Sequence, residues 1–106
     1  MGWFSDDSDQ AQAYETVINA PHKAALSHEL IAAAASYEAA KAYENHVAEN
    51  GQPDNHAKAK EILAGFSGMF IDRIVETKGL DYIDTEKAKH HAKHQAEEAL
   101  GDQGYF

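Results

Sequence analysis

The sequence predicts an all-α fold: a small antiparallel helix bundle of three long helices plus a shorter N-terminal helix. Three observations carry that reading. The stretch after Pro21, HKAALSHELIAAAASYEAAKAYENHVAE, holds no glycine or proline and is rich in Ala, Leu, Glu and Lys, all strong helix formers. Apolar residues recur at alternating steps of four and three, the period of a helix face, and the two-residue alternation of a strand is absent. Gly51, Pro53, Gly79 and Gly101 stand between the periodic runs, where helices stop and restart.

The first helix is the short one, roughly Asp7 to Ile18. Pro21 suits the first turn of a second helix, where its missing N–H costs nothing, and that helix runs on to Glu49 before Asn50-Gly51 stops it. Leu26, Leu30, Ala33, Tyr37, Ala40 and Val47 form its stripe, interrupted once by Glu44. Pro53-Asp54 restarts the chain with Asp54 as N-cap, and a third helix spans about His56 to Lys78, ending at Gly79. Ile62, Phe66, Met69 and Arg73 make one seam on it; Leu63, Phe70, Ile74 and Thr77 lie beside them. Gly65 and Gly68 cost helix propensity, so close approach of another helix around Ala64, Gly65, Ser67 and Gly68 is expected. Asp72 and Arg73 interrupt the apolar run and are expected as a partly buried ion pair with Glu76 or another helix. Asp84 caps a fourth helix that reaches Leu100 and closes at Gly101. Its seam of Ala88, Ala92, Gln95 and Ala99 is thin, so it docks closely but gains little per residue.

A chain of 106 residues suffices for one domain, 1–106, with loosely attached aromatic termini at 1–6 and 101–106. Gly2-Trp3-Phe4 and Gly104-Tyr105-Phe106 are expected to fold back over a core seam or to pack in a dimer. Eighteen acids against nine Lys+Arg give a formal charge of −9, which argues against a nucleic-acid binder and against attraction to anionic membranes. The absence of cysteine excludes disulfides, thiolate zinc sites and cysteine nucleophiles together. The most apolar stretch, Ile62 to Val75, is too short to span a bilayer and holds Asp72 and Arg73; no secretory signal is visible, so a cytoplasmic location is expected. So much alanine makes the core marginal. A homodimer that buries Tyr14, Tyr37, Tyr43, Phe66, Phe70 and Tyr82 is therefore expected.

The seven histidines are the unusual chemical resource. In EKAKHHAKHQAEE, His90 and His94 share a helix face and Glu97 extends it by a turn, a feasible set for a divalent transition metal. The hairpin at Gly51 sets His46 roughly opposite His56, and the fourth helix returns toward the same end. His46, His56, His90, His94 and Glu97 are thus the candidate ligands for a metal or haem at one end of the bundle. The plain alternative is a solvated polar face, and composition favours it. The metalloprotease motif fails because His91 stands where its glutamate belongs, and paired Glu-x-x-His elements of a di-iron bundle are missing. No catalytic residues are assigned. Gly65-Phe66-Ser67-Gly68 has the wrong register for a nucleophile elbow, and consecutive Ser27-His28-Glu29 point in different directions on a helix.

Three long segments, MGWFSDDSDQAQAYE, HKAALSHELIAAAASYEAAKAYENH and AGFSGMFIDRIVETKGLD, resemble the CipC-like family of fungal antibiotic- and stress-response proteins. The resemblance runs from Met1 to about Leu100. It implies a small intracellular protein whose abundance rises under stress or in particular growth states, and it transfers no catalytic or ligand residue. The expectation is a non-enzymatic stress-response protein without a cofactor, acting by self-association or partner binding. The alternative is a metal- or haem-binding protein that uses the histidines.

Overall fold

Each helix begins where a short polar side chain can hold its first turn. The computed structural model describes residues 8–102, apart from the side chains of His56, Leu100 and Asp102. It contains four helices: α1 Asp9–Ile18, α2 His28–Asn50, α3 His56–Lys78 and α4 Thr85–Asp102. Ser8, Ser27, Asn55 and Asp84 precede them, and each accepts a backbone N–H from three residues on, at 3.1, 3.0, 2.8 and 3.1 Å. Such a cap is worth about 1 kcal/mol. Gly51 at φ 81° and Gly79 at φ 65° follow α2 and α3 in the left-handed half of backbone space, where glycine carries no side-chain penalty. Asp7, Trp3, Phe4, Tyr105 and Phe106, to which the sequence assigns a helix start and two aromatic termini, lie outside the described residues.

Three boundaries differ from expectation. The fourth helix runs through Gly101 to Asp102 rather than closing at Gly101. The third helix is capped by Asn55, not Asp54. The second starts at His28, not at Pro21, because residues 19–27 have another use. Lys23 adopts φ 64° and its N–H donates to the Lys78 carbonyl at 2.7 Å, closing the last turn of α3. Lys78 Nζ donates in return to the Ile18 and Ala20 carbonyls. A helix through this stretch would forfeit both.

The bundle is up-down-up-down, and α2 alone packs along all three other helices. Its buried residues accordingly surround the axis: Ile31, Ala32, Ala34, Ala35, Ser36, Tyr37, Ala39, Ala40 and Tyr43. The core divides along the bundle. At the end where the 19–27 and 79–84 linkers meet, Val17, Ile31, Phe70, Ile71, Ile74, Leu80 and Ile83 join alanines from α1, α2 and α4. At the Gly51 hairpin end, Tyr43 and Leu63 pack with Ala39, Ala40, Ala59 and Ala96. Helix α4 docks by Ala88, Ala92 and Ala96, all fully buried; the first two belong to the expected thin seam, whose Gln95 and Ala99 are half-buried.

Helix α3 presents a different face from the expected one. Ala59, Leu63, Ser67, Phe70, Ile71 and Ile74 face the core, whereas Met69 is 69% exposed and Ile62 and Phe66 are half-buried. Gly65 has open space where a Cβ would stand, and Gly68 meets only the Lys89 stem at 3.7 Å, so neither serves an approach within the chain. Of the two expected partners for the Asp72–Arg73 pair, Glu76 or another helix, the second is realised at Asp72. It is exposed and pairs with Lys89 of α4 at 3.0 Å, while the Arg73 guanidinium lies over the Phe70 ring. Among the described residues, no helix is long and apolar enough to cross a membrane.

Candidate functional site

The structure spreads four of the five candidate ligands over three places. His90 and His94 stand on the outer face of α4, exposed, with ring centres 4.5 Å apart and planes at 74°. His91 is also exposed, its ring 6.4 Å from that of His90. His46 is half-buried on α2, edge-on to the Phe66 ring across the hairpin at 6.2 Å. His56 opens α3, and its side chain is outside the described set. Ser36 sits beside Gln95, a register that carries His46 past the last turn of α4, about three turns beyond His94. Among the described residues, no three His, Asp or Glu side chains come together as a metal set. The expected gathering of His46 with His90 and His94 is thus split by axial distance; the His90–His94 pair is what the helix repeat delivers.

Glu97 belongs to a third place, an open groove of about 480 Å³ between α3 and α4 lined by Ala57, Lys60, Glu61, Ala64, Lys93 and Glu97. The groove exists because α4 meets α3 through alanines at this level, leaving long charged side chains to form its walls. One Glu97 carboxylate oxygen, Oε2, is enclosed and accepts no hydrogen bond among the described residues. Two lysines and two acids in one groove suit a charged, polar surface better than an apolar ligand.

The remaining histidines hold the opposite end together. His28 Nε2 accepts the Asp84 N–H at 2.9 Å, linking the start of α2 to the cap of α4. The His22 ring lies over Gly79, within 2.8 Å of where a Cβ would be. Beside them the Tyr82 hydroxyl donates to the Ala24 carbonyl and accepts the Leu26 N–H, each at 2.7 Å. Tyr82, expected in a dimer interface, is thereby engaged within the chain. Its ring stays half-exposed, whereas Tyr37, Tyr43 and Phe70 are buried within the chain. Nothing local in the sequence signals these contacts, whose partners are separated by 56 or more residues.

The acidity of Tyr14 is clearly displaced. Its ring packs against Tyr37 at 5.2 Å and Phe70 at 5.9 Å, and burial, then the Glu38 carboxylate, raises its pKa above the ordinary 10.0; Arg73 and Lys41 oppose this.

The surface that sequence reasoning misplaced is the α3 stripe of Ile62, Gly65, Phe66 and Met69. Its spacing is that of a core seam, yet Gly65 and Met69 are turned outward and Ile62 and Phe66 only flank the hairpin-end core. A signal was available: Arg73 continues the stripe, and Gly65 and Gly68 flank it. Comparison with family models matches residues 12–103 to a family described as "Virulence factor CipC-like". No curated protein matches the chain, and no solved structure does.

Proposed function

The chain belongs to the Virulence factor CipC-like family, and from that premise we propose that it is a non-enzymatic stress- and virulence-related protein that acts by associating with a second copy of itself. The observation that carries this reading is the exposed stripe on α3. Met69 is 69% exposed at its end, and Gly65 one turn before it leaves the helix backbone uncovered. A helix surface with a large flexible apolar side chain next to a bare glycine lets another helix approach closely while Met69 fills the irregular gap. The stripe is self-complementary about a two-fold axis: Met69 of one copy can seat on Gly65 of the other, as an isologous interface requires. The hairpin end behind it has the fewest large buried side chains and gains most from added cover.

Sedimentation velocity over a range of protein concentrations tests this. The native chain is expected to dimerise, and Met69→Glu to remain monomeric with an unchanged helical circular dichroism spectrum. A chain that stays monomeric throughout, or a dimer indifferent to Met69→Glu, contradicts the proposal.

A further inference from the structure

The outer face of α4 carries chemistry that the association reading does not use. His90 and His94 are four residues apart, a step that advances the helix by about 6 Å and turns it by only about 40°, so both rings leave the same side. Both are exposed, and neither makes a hydrogen bond or ion pair with a described residue. Two unengaged imidazoles with ring centres 4.5 Å apart are held side by side by the helix itself.

We propose that His90 and His94 form a two-imidazole clamp for a single divalent transition-metal ion, Cu(II) or Ni(II) in preference to Zn(II). An ion bound to imidazole lies about 2.0–2.1 Å from the nitrogen and so roughly 3.2 Å from the ring centre. Two such rings at a right angle about the ion place their centres about 4.5 Å apart, and at the tetrahedral angle about 5.2 Å. The rings stand 4.5 Å apart, within reach of one shared ion, and the choice of metal then follows from ligand preference and affinity order. Right angles between neighbouring ligands belong to the square-planar and tetragonal geometries of Cu(II) and Ni(II), and tetrahedral angles to zinc. Cu(II) also stands highest in the general affinity order for nitrogen sites. Water completes the shell, since no third His, Asp or Glu joins the pair among the described residues. Opposed axial positions on a haem iron are out of reach for two rings on one helix face.

The surroundings decide which histidines take part. His91 follows His90 directly and therefore points about 100° away round the helix, its ring 6.4 Å from that of His90. Glu86 and Glu98 stand one turn before and one turn after the pair and add negative potential, against Lys87 and Lys93 nearby. His46 lies on another helix, about three turns along the axis.

Calorimetric titration of the full chain with Cu(II), Ni(II) and Zn(II), in a weakly coordinating buffer, tests the clamp. The expected result is one ion per chain, Cu(II) tightest and Zn(II) weaker than Ni(II). His90→Ala and His94→Ala each weaken Cu(II) by about tenfold to a hundredfold, in the range that lost ligand-shell partners cost. The double variant falls little further, because a single imidazole is no longer a chelate. His91→Ala and His46→Ala leave the titration unchanged. All four positions lie outside the core, so the variants keep their helical spectrum. The Cu(II) paramagnetic resonance spectrum is expected to carry the splitting of two nitrogens. Binding that survives loss of His90 and His94 overturns the proposal. So does binding that falls with His91→Ala or His46→Ala, a Zn(II) affinity above that of Cu(II), or a one-nitrogen spectrum. None of these readouts depends on Met69, so this proposal and the dimer stand or fall separately.

Discussion

The two ends of this bundle are built by opposite means. At the linker end, large aliphatic and aromatic side chains from α1, α2, α3 and the linkers fill the core over alanines of α4, and Lys23, His28, Lys78 and Tyr82 tie two linkers into it by hydrogen bonds. At the hairpin end three helices meet mainly through alanines, with Tyr43 and Leu63 as the large fully buried residues. Buried apolar area stabilises by about 25 cal/mol per Å², so alanine contributes little wherever it replaces leucine or phenylalanine. What alanine offers is close helix approach and unencumbered outer faces. The linker end holds the fold; the hairpin half carries the groove at Glu97, and Met69 turns outward on α3 beside the linker-end core.

The comparison can be broken most forcefully at two consecutive residues of α3. Phe70 is 2% exposed in the linker-end core and Met69 is 69% exposed beside it. Phe70→Ala is expected to cost about 3–5 kcal/mol by urea denaturation, whereas Met69→Ala stays within about 0.5 kcal/mol under monomeric conditions. Similar costs at both positions would mean that the stripe belongs to the core after all.

Two glycines sharpen the contrast at lower amplitude. Gly79→Ala places a Cβ within 2.8 Å of the His22 ring at φ 65°, and a loss of about 1–3 kcal/mol is expected. Gly65→Ala meets open space within a helix, so a gain of up to about 1 kcal/mol is expected in the monomer. Thermal denaturation of the two variants should therefore shift in opposite directions.

The smallest effect is a titration. Burial and Glu38 raise the Tyr14 pKa above 10.0, so the folded chain holds this proton more tightly than the unfolded one. The associated stability is complete below pH 10 and is lost as pH rises through the folded value. Urea midpoints measured above pH 10 should decline less steeply for Tyr14→Phe than for the native chain.

Much of this organisation is legible in the residues, and the exceptions have physical causes. Helix number, the Gly51 and Gly79 stops, the Asp84 cap and the alanine seam of α4 are local properties, fixed by propensity, capping and period. The start of α2 at Ser27 was hidden because Ala, Leu and Lys between Pro21 and Ser27 are good helix formers, and what overrides them is Lys23 bonding to Lys78, 55 residues on. Period alone assigned Ile62, Phe66 and Met69 to the core, because α3 carries two adjacent apolar stripes and periodicity does not say which one meets α2. The histidine pair is equally local and survives as read. The wider gathering fails because its members depend on helix register, and the Ser36–Gln95 register carries His46 past His94.

Native-state hydrogen exchange along α2 tests the two-ended account most directly, because this one helix runs through both halves. The account predicts that amides of residues 31–37 exchange only through global unfolding, while those of residues 40–50 exchange through smaller openings with lower free energies and weaker dependence on denaturant. Uniform protection along α2, or stronger protection toward Asn50 than around Ile31, would contradict it.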